Sequence, residues 1–218
     1  KIKMNEKLFL RNPEETELGK KIIEYSILLI HKIGFEQFTF KKLAKEIQTT
    51  EAGIYRYFEN KHRLLVYLVD WYWNWQEYRL LFEINNIPNP VVKLKKAIKL
   101  LSTPVENDVR TSHIDEKLLF EIVMMEGAKS YLSRNVTADN NNKLFQPYKD
   151  LCNRIAVIIT ECNSKYKYPR SLASTIIEMA HSQNFYLKNL PSLTDIGTVS
   201  EDSMVTMFIE NLVFSGIT

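Results

Sequence analysis

The sequence predicts an all-α protein, and three observations carry that expectation. Gly (6) and Pro (7) are scarce in 218 residues, which allows long helices and disfavours turn-dense β architectures. Apolar residues recur at helical spacing, first at Leu18, Ile22, Tyr25, Leu29 and Ile33. Capping residues precede several of these patterns. The expected architecture is an N-terminal three-helix cluster followed by a larger helical domain.

Asn12-Pro13-Glu14-Glu15 reads as the first helix start, with Asn as cap, Pro in the first turn and Glu closing a capping box. Gly34 ends that helix. Thr39 caps a short second helix that places Leu43, Ala44 and Ile47 on one face, and Thr50 caps a third running through Phe58. Asn60 caps a long fourth helix carrying Leu64, Leu65, Leu68, Trp71, Tyr72 and Trp75. Ile87-Pro88-Asn89-Pro90 is the clearest punctuation in the chain. Five more helical patterns follow, over 91–101, 115–132, 144–165, 170–187 and 201–214, with Asp139-Asn140-Asn141-Asn142 as a polar loop or helix start and 190–198 as a connector. The domains expected are 1–60 (core 13–59), a linking helix 61–84, and 85–218.

Hydrophobic residues at 45% and charged residues at 25% suit a globular chain with a sizeable core. No apolar run approaches the roughly 20 residues that span a bilayer, and the first residues lack a secretion-signal stretch. A cytoplasmic protein with no membrane partner is therefore expected. Cys152 and Cys162 lie ten residues apart in one helical pattern, about 15 Å along the axis, too far for a disulfide; they read as thiols in a reducing compartment.

The net charge is +3, and all of the excess lies in residues 1–80, which hold 14 Lys+Arg against 11 Asp+Glu. Between 39 and 63 stand Lys41, Lys42, Lys45, Arg56, Lys61 and Arg63 against Glu46, Glu51 and Glu59. This is a modest basic patch of the kind that meets a polyanion.

Two short helices joined by a tight turn inside a three-helix cluster make a helix-turn-helix. Small Ala44 lets helices two and three approach, while Leu43, Ile47, Ile54 and Phe58 are spaced to bury against helix one. The start of helix three is then left facing outward, where it could enter a major groove about 12 Å wide. Gly34-Phe35, Phe38-Thr39, Leu43-Ala44-Lys45-Glu46-Ile47, Ile54-Tyr55-Arg56-Tyr57-Phe58 and Asn60-Lys61-His62-Arg63-Leu64-Leu65 together resemble the DNA-binding domain of the TetR family, continuously from about Leu18 to Leu68. The rest resembles the family in being helical and of suitable length.

That resemblance implies a regulator of transcription, not an enzyme, and usually a repressor released from operator DNA by a small-molecule effector. It needs no cofactor or metal. Carried over by position, Thr39 caps helix two and contacts phosphate, and Lys41 approaches the groove. Thr50 caps the recognition helix, Glu51, Ala52 and Tyr55 face the major groove, and Tyr57 and Lys61 contact phosphate. A cation at a helix N-terminus opposes the dipole, so Lys61 asks for a compensating anion such as phosphate. Gly53 either permits close backbone approach to DNA or is tolerated at about 1 kcal/mol against Ala. Glu51 either accepts from a cytosine amino group or stabilises the helix start. Gln48 stands where the family often has Gly, which reads as a wider turn or one needing no left-handed residue.

The family's C-terminal domain binds the effector and dimerises. Ile176, Ile177, Ala180, Phe185, Met204, Met207, Phe208 and Leu212 would supply an apolar face for a four-helix bundle between two copies, and two copies are needed to read two half-sites. Trp71, Tyr72, Trp73, Trp75 and Tyr78 read as core of the linking helix. Apolar, Met-rich stretches such as 118–125 suggest an apolar effector, its pocket unassigned; His113 and His181 read as structural or exposed. Two other readings compete. Glu59-x-x-His62 and Glu178-x-x-His181 have the spacing of di-iron carboxylate bundles, with Glu121 or Glu126 and Glu161 to complete the set, although Glu59–His62 straddles a helix cap. A helical interaction module without DNA binding is the other.

Overall fold

The computed structural model describes residues 2–105, 107, 113–134, 136–197 and 203–217; Lys1, Thr198, Glu201 and Thr218, which bound segments named above, lie outside them. Among the described residues there are eleven α-helices and no strand. The chain forms two compact units, one of residues 1–73 with 105–147, the other of 74–104 with 148–218.

The first unit is built on α1 (Glu17–Gln37). Its start differs from the expected one: Asn12 caps only a 3-10 turn, Pro13–Glu15, and Thr16 caps α1 itself, its side chain accepting from the Gly19 N–H at 3.0 Å. The turn packs so tightly on α1 that a Cβ at Gly19 would sit 2.2 Å from the Pro13 carbonyl oxygen. Gly34 breaks the helix as expected, with φ 76° and ψ 156°, a region essentially confined to glycine. α2 (Phe40–Glu46) and α3 (Glu51–Tyr55) follow, capped by Thr39 and Thr50. Leu43, Ile54 and Phe58 are fully buried and Ala44 nearly so, as the spacing predicted, with Ile47 at the edge of this core.

The turn between α2 and α3 corrects one expectation. Gln48 has φ 55°, so the turn does use a left-handed residue. The Thr49 N–H reaches the Ala44 carbonyl at 2.9 Å and the Gln48 N–H that of Lys45 at 3.4 Å, the bond pattern of a Schellman cap, where glycine is the usual left-handed residue.

α4 (Lys61–Ile84) contributes Lys61–Trp73 to the first unit and the rest to the second. Its Trp71, Tyr72, Trp73 and Trp75 are buried core, whereas Tyr78 is exposed. α6 (Glu116–Glu126), α7 (Ala128–Tyr131) and α8 (Val136–Asn141) complete the first unit. The pattern expected over 115–132 divides at Gly127, and Asp139–Asn141 end a short helix. The boundaries expected at 60/61 and 84/85 fall inside these two compact units. α1 needs a cover for its apolar face, and α6 supplies it from 80 residues further on, bound by His31 Nε2 to Glu121 Oε2 at 2.6 Å and by Glu126 Oε1 accepting the Phe35 N–H at 2.9 Å.

In the second unit α5 (Pro90–Ser102), α10 (Pro169–Asn189) and α11 (Ser203–Ile217) pack on one another, and α9 (Gln146–Cys162) carries both cysteines. A buried contact between the Ser102 and Thr206 hydroxyls (2.6 Å) joins α5 to α11, and Asn184 Nδ2 donates to the Ser102 carbonyl at 3.0 Å. Arg154 binds Glu77 through two nitrogens at 2.8 and 3.1 Å. Cys152 and Cys162 are free, and burial pushes the Cys152 thiol up to about 11.

Candidate nucleic-acid interface

α3 spans only Glu51–Tyr55, shorter than the sequence suggested, and its outward side matches the expected surface. Thr50, Glu51, Ala52 and Tyr55 are exposed, and Ile54 is turned into the core. The Thr50 hydroxyl accepts the Gly53 N–H at 3.1 Å. Gly53 has a local reason as well: a Cβ there would lie 3.1 Å from Thr49 Oγ1 and 3.4 Å from Thr50 Oγ1, crowding the cap. Glu51 occupies the first turn, where a carboxylate is favoured by the helix dipole.

Tyr55 is 48% exposed, and its ring stands edge-on to the buried Phe40 of α2 at 5.0 Å between centroids. The phenol is therefore held at a fixed angle on the surface, which lowers the entropy lost when it contacts a partner. Nothing in the sequence pattern singled out Phe40 as that platform. Thr39 and Lys41 are exposed on α2, the Thr39 hydroxyl accepting the Lys42 N–H at 3.2 Å. Lys45 and Arg56 are exposed nearby in sequence, while Lys42 donates to the Gln37 carbonyl at 2.9 Å.

Two residues expected to contact phosphate have partners inside the chain. Tyr57 is 2% exposed, and its hydroxyl is 2.7 Å from Thr16 Oγ1, the cap of α1. Arg11 lies over its ring, and the Leu10 N–H donates to its carbonyl at 2.8 Å. Tyr57 is a tie between the two ends of the motif. Lys61 finds its compensating charge inside the protein: Nζ donates to the carbonyls of Phe35 (3.1 Å), Glu36 (3.2 Å) and Phe38 (3.2 Å). The end of α1 is thus held by a cation on its carbonyls and by the Glu126 carboxylate on its Phe35 N–H. Lys129 sits 2.8 Å from both Glu126 and Glu36; these bonds, Glu126 first, raise the Lys129 ammonium, and Lys129 lowers the Glu36 carboxyl. Glu126 comes from 91 residues away, and no local pattern could have signalled it.

The expected dimer face is corrected in part. Ile176, Ile177 and Ala180 are fully buried within the chain, where they close the core of the second unit. Phe185 is half-buried, and Met204, Met207, Phe208 and Leu212 are exposed on α11 at helical spacing. Of the carboxylate–histidine pairs, Glu178 accepts from the Tyr148 hydroxyl at 2.9 Å and His181 is buried. Among the described residues no three His, Cys, Asp or Glu side chains gather where they could hold a metal ion, and no helix is long and apolar enough to cross a membrane.

Residues 22–68 match the family of bacterial regulatory proteins, tetR family. No curated protein matches the sequence. Among solved structures, AibR in complex with isovaleryl coenzyme A and operator DNA is similar with a TM-score of 0.62 at 17% identity, over 90% of this chain and 99% of that one. The fatty acid degradation regulator FadR from Bacillus halodurans gives 0.60 at 18%, over 90% and 97%. A bacterial regulatory protein in the tetR family from Rhodococcus RHA1 gives 0.67 at 12%, over 93% and 97%. At these identities the likeness is one of fold.

Proposed function

We propose, from the match of residues 22–68 to the tetR family, that the chain is a DNA-binding transcriptional regulator of that family and acts as a homodimeric repressor released from its operator by a small molecule with an apolar part. The observation that carries the reading is the exposed face of α3. Its cap, its first turn and Tyr55 are presented to solvent on a buried platform, and Lys41, Lys45 and Arg56 are exposed on the flanking sequence. Thr50, Glu51, Ala52 and Tyr55 face base edges in this reading, and Thr39, Lys41 and the backbone amides at the α3 start meet phosphates. Gly53 serves the cap first.

Acyl thioesters are the effector class to try first. The similarly folded AibR was solved with isovaleryl coenzyme A and operator DNA together, and FadR is described by fatty acid degradation. The exposed face of α11 supports pairing of two copies through Met204, Met207, Phe208 and Leu212, with Phe185 at its margin.

The test begins with selection of bound genomic fragments, followed by titration of the selected duplex at several salt concentrations. With about eight phosphates met per dimer, log K falls against log salt with a slope near −7. A flat dependence removes the DNA reading and leaves a helical interaction module. Addition of isovaleryl and longer acyl-CoA thioesters to the bound complex then tests release; retention of DNA by every member of the series rejects that effector class.

A further inference from the structure

The first turn of α4 is anchored in two directions. Lys61 reaches back to the carbonyls at the end of α1, while the next two side chains reach α8. Asp139 of α8 is 2% exposed, its Oδ1 accepting from Arg63 Nη1 at 2.8 Å, and its Oδ2 lies 3.5 Å from His62 Nε2. Both of those facing atoms are shielded from water and neither completes a hydrogen bond. Arg63 Nε is also within 3.9 Å of Glu59.

The turn after α8 is held as well. Asn5 Nδ2 donates to the carbonyls of Asn142 (3.0 Å) and Lys143 (3.2 Å), and Lys7 Nζ donates to Asn142 Oδ1 at 3.0 Å. An isolated helix of six residues is not stable in water, so the order of α8 comes from such ties. A buried carboxylate is costly unless it is paired. Here the partners are adjacent residues on α4, seven and eight positions after the last residue of α3.

We propose that Asp139 is a positioning residue for operator binding: through Arg63 and His62 it fixes the first turn of α4, and with it α3, in the geometry the duplex requires. The inference rests on the DNA-binding reading above. Releasing the turn adds conformational freedom that binding has to remove, so affinity falls although no group that touches DNA is lost.

The experiment compares wild type, Asp139→Asn, Arg63→Met and the double variant on the selected operator duplex, with hydrogen exchange of residues 60–66 and 136–143 in the free protein. Asp139→Asn should weaken binding about tenfold, the scale of one hydrogen bond to a charged group, with the salt slope unchanged. Exchange should quicken in both segments, and the double variant should bind within threefold of the weaker single one. Should Asp139→Asn unfold the chain, Asp139→Glu keeps the charge and should fall between it and wild type. Unchanged affinity, losses that multiply in the double variant, or unchanged exchange in either segment would each overturn the proposal. Failure of the wild type itself to bind duplex DNA would sink the functional reading and the proposal with it, a result separable from unchanged affinity in the variants.

Discussion

Lys61 donates to the carbonyl oxygen of Phe35 at 3.1 Å while its ammonium lies 4.7 Å from the centre of the same residue's ring. A side chain at the start of one helix thereby closes the end of another, with two more carbonyls completing the grip. Replacing it by methionine keeps most of the stem and removes the charge. Lys61→Met should cost about 1.5–3 kcal/mol of stability, the range for hydrogen bonds to a charged group. A phosphate contact would leave a different trace, lowering the salt slope of operator binding by about 0.9 per contact. Thermal unfolding and a salt titration together decide it: a lower Tm with an unchanged slope is expected, and the reverse pattern would restore the phosphate role.

The α2–α3 turn makes a prediction of opposite sign. Gln48 adopts φ 55° in a Schellman cap, where a side chain costs energy that glycine does not incur. Part of that gain is lost because glycine makes the unfolded chain freer. Gln48→Gly should raise stability by about 0.5–1 kcal/mol, and Gln48→Val should lower it. Denaturant midpoints at constant slope are the measurement; a less stable glycine variant would show that the Gln48 side chain contributes something beyond its backbone.

These two sites mark how far the sequence could be read. Helix starts at Thr39, Thr50 and Asn60 were legible because capping is local chemistry: each hydroxyl or amide oxygen bonds an N–H within three residues. The buried set Leu43, Ile54 and Phe58 was legible because helical period is local too. The internal partners of Lys61 and Tyr57 were illegible because they, the end and the start of α1, lie 23 to 41 residues away. The role of residues 105–147 in the first unit was illegible for the same reason, since α6 pairs with α1 through Glu121 and Glu126 across some 90 residues. Ile176, Ile177 and Ala180 have the apolar character of a dimer face, and only three-dimensional packing tells a face turned inward from one turned out.

Tyr55 separates the ring from its hydroxyl in the site. Tyr55→Ala removes an exposed ring set edge-on to Phe40 and should weaken operator binding by about 1–3 kcal/mol. Tyr55→Phe keeps the edge-on contact at 5.0 Å and removes only the hydroxyl, so it isolates any hydrogen bond made to the duplex. Fluorescence anisotropy on the selected operator reads both. Wild-type affinity in the alanine variant would remove Tyr55 from the interface.

His181 of α10 gives the second unit an acid sensitivity. Burial lowers its imidazole from an ordinary value of 6.5 to about 4. The neutral ring is the folded form, so this contribution to stability is complete above pH 6.5. As pH falls from 6.5 toward 4 the unfolded chain takes up a proton that the folded chain refuses, and stability declines by about 3 kcal/mol in total. Unfolding curves of wild type and His181→Gln between pH 7 and pH 4 should therefore converge or cross as acid is added. Parallel curves over that interval would show that His181 titrates alike in both states.

The exposed stripe of α11 yields the sharpest test of assembly. Met207 is 58% exposed and Leu212 51%, so charging them disturbs no packing inside one chain and should change its stability by less than about 0.5 kcal/mol. In an isologous interface each substitution appears twice across the two-fold axis, and the like charges face a desolvated contact. Met207→Glu combined with Leu212→Glu should convert a dimer to a monomer in sedimentation velocity, with helix content and Tm retained. Operator binding should follow the assembly state, because a single copy meets one half-site and forfeits the contribution of the other. Affinity for a two-half-site duplex should then fall to that for one half-site. A variant that stays dimeric would place the interface elsewhere on the chain, and one that becomes monomeric yet binds the full operator as before would show that pairing of copies contributes nothing to recognition.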